Sequence, residues 1–131
     1  MAGLFSRLQK RSIGHHPYCT AVVVAAGSAS RMKGIDKIMT TLGGIPVLAR
    51  TLQALEQCGR IDEIVVVTRT DLCAPVNILC REFGIQKVTA VVSGGATRAE
   101  SVRCGLCAVS GRAELAAIHD GARPFVSQEL L

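Results

Sequence analysis

The sequence predicts an α/β fold, a mostly parallel sheet with helices on both faces, and three observations carry that prediction. Four short apolar runs, at residues 21–26, 62–68, 88–92 and 115–119, are rich in valine, isoleucine and alanine and lack the alternation of a half-solvated strand. Between them stand segments with apolar residues at helical spacing, and strands that alternate with helices of this length imply right-handed crossovers and a parallel sheet. Three of the strands then run into glycine-bearing loops at their C-terminal ends, the edge where open α/β sheets bind ligands.

The first strand, 21–26, is the centre of this organisation. It stops at Gly27, which opens a loop of small residues, Ser28, Ala29 and Ser30, where backbone N–H groups can surround an anion without obstruction. Two cations, Arg31 and Lys37, follow. Strand, small-residue loop and spaced Arg and Lys together suit the holding of nucleotide phosphates and the stabilising of charge during phosphoryl transfer. The loop is neither of two familiar phosphate loops: Met32 stands where a Walker loop needs its second glycine, and Ala29 and Met32 occupy the later glycine positions of the dinucleotide fingerprint.

Leu42 to Pro46 then reads as a turn, with Pro46 at the first position of a helix whose apolar face is Val47, Leu48, Leu52 and Leu55 and which ends near Gly59. The strand EIVVVT follows, then a helix over 74–83 with Val76, Leu79, Cys80 and Phe83 on one face and Gly84 as its stop signal. The third strand enters Ser93-Gly94-Gly95-Ala96-Thr97. Thr97 and Glu100 form a capping-box pattern that starts a helix expected to bury Ala99, Val102, Leu106 and Val109, with the Ser101 hydroxyl free to meet a ligand. The fourth strand delivers Asp120-Gly121-Ala122-Arg123-Pro124 to the same edge. A carboxylate there, facing a triphosphate, suits Mg²⁺, which takes one or two carboxylates plus phosphate oxygens. His119 beside it is expected to orient or pack rather than to act as a base, because an attacking phosphate is already an anion.

Composition narrows the function classes. The chain has 131 residues, one domain's length, and 49% of them are hydrophobic, so a packed core and not disorder is expected. A net charge of +5 suits polyanionic partners. The four aromatic residues, Phe5, Tyr18, Phe83 and Phe125, are too scattered for a base-stacking platform, which argues against nucleic acid. No apolar run approaches the roughly 18 residues of a membrane span. Residues 1–17 form a basic leader without a secretory h-region, expected to be poorly ordered, and residues 18–131 form the nucleotide-binding part. Six cysteines sit mostly at apolar positions; the single C-x-x-C, Cys104 and Cys107, falls inside a helix with no histidine at zinc spacing, so core packing and a reducing cytoplasmic compartment are expected.

Three segments in order, AAGSASRM with Lys37, SGGATRAESVRCGL and HDGARP, resemble the 2-C-methyl-D-erythritol 4-phosphate cytidylyltransferases. The resemblance implies a Rossmann-like, nucleotidyltransferase-type sheet and a reaction between CTP and a polyol phosphate with Mg²⁺, releasing pyrophosphate in the non-mevalonate route to isoprenoids. It implies that Ala25, Ala26, Gly27 and Ser28 line the nucleotide and its phosphates and that Arg31 and Lys37 clamp the transferring phosphate. Gly94, Gly95 and Ser101 would read the cytosine edge, Asp120 would hold the metal and Gly121 would lie beside the ribose. Asp36 stands where the family's signature has proline, Ala96 where an acidic residue is frequent, and Gly121 where alanine is usual. Family members are longer, so the chain reads as C-terminally truncated, expected to be inactive alone and homodimeric at full length. A ribitol-5-phosphate cytidylyltransferase shares these motifs, and a CTP-binding module without turnover is the alternative of another class.

Overall fold

The computed structural model describes residues 16–26, 31–32, 35–36 and 38–123. Four parallel strands form the sheet: β1 (Cys19–Ala25), β6 (Glu63–Thr68), β7 (Val88–Ser93) and β8 (Leu115–Asp120), in the order β7-β6-β1-β8. Two small antiparallel pairs, β2 (Arg31–Met32) with β3 (Ile35–Asp36) and β4 (Thr41–Leu42) with β5 (Ile45–Pro46), lie between β1 and helix α1 (Val47–Glu56). A 3₁₀ turn, Thr70–Leu72, leads into α2 (Cys73–Glu82), and α3 (Arg98–Cys107) links β7 to β8.

The chain moves outward from β1 through β6 to β7 and then returns to the other side of β1 with β8. Right-handed crossovers therefore put α1 and α2 on one face and α3 on the other. Alternation along β1 divides the core accordingly. Ala21, Val23 and Ala25 pack with Leu48, Leu52 and Leu55 of α1 and Val76 and Leu79 of α2, whereas Val22, Val24 and Ala26 pack with Val67 beneath α3. Both faces of β1 and β6 are buried, as their continuous apolar runs imply; the edge strands are less covered, and Leu115 and Ile118 of β8 are 54% and 41% exposed.

Three expectations are corrected. Pro46 is the cap of α1 and not its first residue: it pairs with Thr41 in a hairpin whose tip is Gly43 and Gly44, with φ of 65° and 82°. Two consecutive left-handed residues make the tight turn that such a hairpin needs. On α3 the expected apolar face is not the buried one, since Ala99 and Leu106 are exposed and Val102 and Val109 only partly covered, while Ser101 and Gly105 are buried. The helix lies so close to the sheet that a methyl on Gly105 would run into Val22 and come within 2.7 Å of Val67 Cγ2. Small residues make that approach, and the larger apolar ones flank it. Finally, Cys107 is exposed rather than packed, although Cys58 and Cys80 are buried and all six cysteines are free.

Beneath the sheet, at its N-terminal end, Glu63 is 3% exposed and fully engaged. Thr20 and Thr89 each donate a hydroxyl to it at 2.6 Å, and Ser110 donates its backbone N–H at 3.3 Å. One carboxylate thus ties β1, β6, β7 and the approach to β8.

Candidate functional site

The strand order reverses between β1 and β8, and the C-terminal ends of the strands at such a switch point are the location at which sheets of this kind bind ligands. Ala25 and Ala26 end β1 there with almost no exposure, 4% and 9%, and carry only methyl groups. Loops from both neighbouring sides close on them. A methyl built on Gly94, after β7, would lie 2.6 Å from Ala26 Cβ and 2.6 Å from Ser101 Oγ. One built on Gly121, after β8, would lie 3.0 Å from Ala25 Cβ and 3.3 Å from Leu48 Cδ1. At position 94 glycine is therefore a packing requirement, at position 121 a methyl would fit only if Ala25 and Leu48 gave slightly, and the two loops meet at the end of β1.

Backbone bonds fix these loops. The Gly94 N–H donates to Thr68 O at 2.9 Å, and the Gly121 N–H to Val24 O at 3.0 Å. Gly95 N–H donates to Ser101 Oγ at 3.2 Å and Ala96 N–H to Glu100 Oε2 at 3.0 Å. Thr97 caps α3 by accepting from Glu100 N at 3.1 Å, as the capping pattern predicts. Glu100 departs from the reciprocal form of that pattern, because its carboxylate takes the N–H of Ala96. The Ser101 hydroxyl is likewise not the free group expected of it; at 2% exposure it is buried as an acceptor for Gly95.

Asp120, paired in register with Val24, ends β8 with a carboxylate 43% exposed. Its Oδ1 accepts from Ala122 N at 2.9 Å, and Oδ2 stands 4.0 Å from Arg123 Nε. His119 Nε2 is 3.2 Å from Arg123 O, consistent with an orienting role for the loop. Among the described residues no three His, Cys, Asp or Glu side chains form a metal-binding group, so a cation at Asp120 would draw most of its oxygens from a ligand.

The structure brings Ala25, Ala26, Gly94, Gly95, Ser101, Asp120 and Gly121 to one edge. Arg31 begins β2, where its backbone pairs with that of Asp36, and its side chain lies outside the described residues, as do Gly27, Ser28 and Lys37. Sequence reasoning missed Thr51. This threonine is fully buried in α1 and donates its hydroxyl to Gly121 O at 2.9 Å, supporting the β8 loop from below. The available signal was a hydroxyl beside Leu48, Leu52 and Leu55 on an otherwise apolar helix face.

Comparisons with known proteins agree on one family. A family profile described as "IspD: 2-C-methyl-D-erythritol 4-phosphate cytidylyltransferase" matches residues 19–131. The 2-C-methyl-D-erythritol 4-phosphate cytidylyltransferase of Dehalococcoides mccartyi strain CBDB1 is 41% identical over 109 residues, which cover 83% of this chain and 48% of that protein. The protein of the same name from Geobacillus kaustophilus is 44% identical over 107 residues, 81% of this chain and 46% of its own length. The crystal structure of 4-diphosphocytidyl-2C-methyl-D-erythritol synthase from Anaerococcus prevotii superposes with a TM-score of 0.74 at 35% identity, over 87% of this chain and 47% of that one. The chain thus spans about half the length of the relatives it matches. Among the described residues, no helix is long and apolar enough to cross a membrane.

Proposed function

Because the chain belongs to the IspD family, the 2-C-methyl-D-erythritol 4-phosphate cytidylyltransferases, we propose that it supplies the CTP-binding part of an enzyme joining CTP to 2-C-methyl-D-erythritol 4-phosphate in the non-mevalonate pathway. The observation that carries this reading is the closure of the Gly94 and Gly121 loops on Ala26 and Ala25 at the switch point of the sheet. Of these residues Gly94 and Gly95 remain partly exposed, where a base would lie.

In this reading Ala25, Ala26, Gly27 and Ser28 surround the nucleotide and its phosphates, Gly94 and Gly95 face the base, and Gly121 lies beside the ribose. Ser101 acts by holding the Gly95 N–H, which sets the shape of the loop. An oxygen of the polyol phosphate attacks the α-phosphorus in line; that P–O bond forms as the bond to the β-phosphate oxygen breaks, and pyrophosphate leaves. Arg31 and Lys37 neutralise charge that grows on the α-phosphate. Asp120 would hold a magnesium ion through its 43% exposed carboxylate, with phosphate oxygens and waters supplying the other ligands. When bound, that ion would draw the phosphates together and offset their charge. Dimerisation of the longer protein belongs to the same proposal, as does a cytoplasmic location, which six free cysteines favour.

Calorimetric titration of CTP with and without magnesium tests the reading. The expected result is magnesium-dependent binding, with the metal dependence lost in Asp120→Asn. Binding that ignores both magnesium and this substitution would remove Asp120 from the metal site.

A further inference from the structure

Helix α2 gives one face to the core and leaves another open. Val76, Leu79 and Cys80 are buried, whereas Ala74, Asn77, Ile78 and Arg81, at positions i, i+3, i+4 and i+7, share a second face. Beyond the helix the chain turns at Gly84, and the Ile85 N–H returns to Cys80 O at 2.9 Å, which folds Ile85 back against the helix end. The second face of α2, together with Cys80, Ile85 and Val88 at the start of β7, lines a groove of about 460 Å³, within the roughly 300–1,000 Å³ of small-molecule sites. Val88 stands at the end of β7 opposite the one that leads to Gly94, so the groove is separate from the candidate nucleotide site.

The lining combines apolar surface with one unengaged cation. Cys80 and Ile85 are buried, and Ile78 is 49% exposed. Asn77 commits its amide nitrogen to Cys73 O at 3.1 Å. The Arg81 guanidinium is exposed and, among the described residues, has no hydrogen-bond or ion-pair partner. Addition of a peptide strand to β7 is disfavoured here, because its pairing with β6 shifts register between Val88 and Ala90 and Thr89 donates its hydroxyl inward to Glu63. A small molecule therefore suits the groove better than an extended peptide.

We propose that this groove binds a small amphiphilic anion, a carboxylate or phosphate monoester on an apolar chain, with the chain against Ile78, Ile85 and Val88 and the anionic head on Arg81. Guanidinium meets either head through two parallel N–H bonds, and covering Ile78 removes apolar surface from water. Nothing in this site draws on the nucleotide reading.

The test is an amide-resolved NMR titration of the chain with octanoate, octyl phosphate and 1-octanol. The expected result is saturable shifts confined to residues 74–88 with either anion, and binding of 1-octanol about tenfold weaker, the scale of one charge-assisted hydrogen bond. Whichever anion binds more tightly identifies the head that Arg81 takes. Arg81→Gln should weaken both anions by about tenfold and leave 1-octanol unchanged, whereas Ile78→Ser should weaken all three. Both positions are exposed, so neither variant disturbs the core. Octanoate should also bind equally well with CTP and magnesium present. Absence of saturable shifts in this segment, equal binding of the alcohol and the anions, or anion binding indifferent to Arg81→Gln overturns the proposal, and none of these results bears on the nucleotide site.

Discussion

Thr51 donates its hydroxyl to the carbonyl of Gly121 at 2.9 Å, joining the first helix to the loop that leaves the last strand of the sheet. The same hydroxyl lies 3.2 Å from Val47 O, and the residue is completely buried. Asp120 directly precedes Gly121, so the bond sets the height at which the carboxylate-bearing loop sits against Ala25.

Thr51→Val keeps the side-chain shape and removes the donor, leaving a buried carbonyl without its partner. The expected cost is about 1–3 kcal/mol of stability, read from urea denaturation, together with weaker magnesium-dependent CTP binding. Thr51→Ser should recover most of both. Full binding in the valine variant would separate the β8 loop from this support.

Glu63 gives the fold an acid-sensitive joint. Burial pushes its carboxyl up, but hydrogen bonds from Thr20, Thr89 and the Ser110 N–H, with Arg112 nearby, outweigh burial and hold it below its ordinary value of 4.5. A lowered folded value means that the stabilisation is fully present above that ordinary value and is lost as pH falls through the folded one. Glu63→Gln should destabilise the protein at pH 7 and make its stability fall less steeply as pH drops below that ordinary value of 4.5. Denaturation midpoints across that range decide it; parallel curves for the two proteins would show that Glu63 does not carry the acid dependence.

Gly105→Ala sets two effects against each other. Alanine favours an α-helix over glycine by about 1 kcal/mol. Here its methyl would collide with Val22 and Val67, and overpacking of that kind costs about 1–3 kcal/mol. Net destabilisation is expected, whereas Gly59→Ala, with nothing near its added methyl, should change little. Stabilisation by Gly105→Ala would mean that α3 can lift from the sheet without loss.

Thiol reagents should distinguish the cysteines. Burial first, and then the charge of Glu56, push the Cys80 thiol up to about 11, so it has little thiolate at neutral pH and little access. Cys107 is exposed. Native protein should therefore label at Cys107 first and at Cys80 only on unfolding, and Cys104→Ser with Cys107→Ala should leave metal content unchanged. Zinc bound at unit stoichiometry and lost in that double variant would instead make the pair a metal site.

Arg31→Ala and Lys37→Ala, measured by pyrophosphate release in a chain that carries out the transfer, should lower turnover by about 10²–10³-fold while CTP affinity changes far less. Groups that act on charge developing at the α-phosphate affect the transition state more than the ground state. Equal losses in affinity and rate would make these residues simple phosphate ligands.

What the sequence determined by itself was local and repetitive. The valine-rich runs of β1 and β6 are buried on both faces, Thr97 carries its own cap, Gly84 ends α2 with φ of 66°, and glycine-bearing loops follow the strands. Those features place Gly94, Gly95, Asp120 and Gly121 at strand ends before any strand is paired. Tertiary structure alone decided the order β7-β6-β1-β8, and with it that the glycine loops reach the end of β1 from opposite sides. It also decided that α3 approaches through Ser101 and Gly105, because backbone proximity and not side-chain hydrophobicity governs that contact. The partners of Thr51, Glu63 and Glu100 were set at the same level. A single polar residue acquires its role from what the fold sets opposite it, and periodicity along one chain segment carries no record of that neighbour.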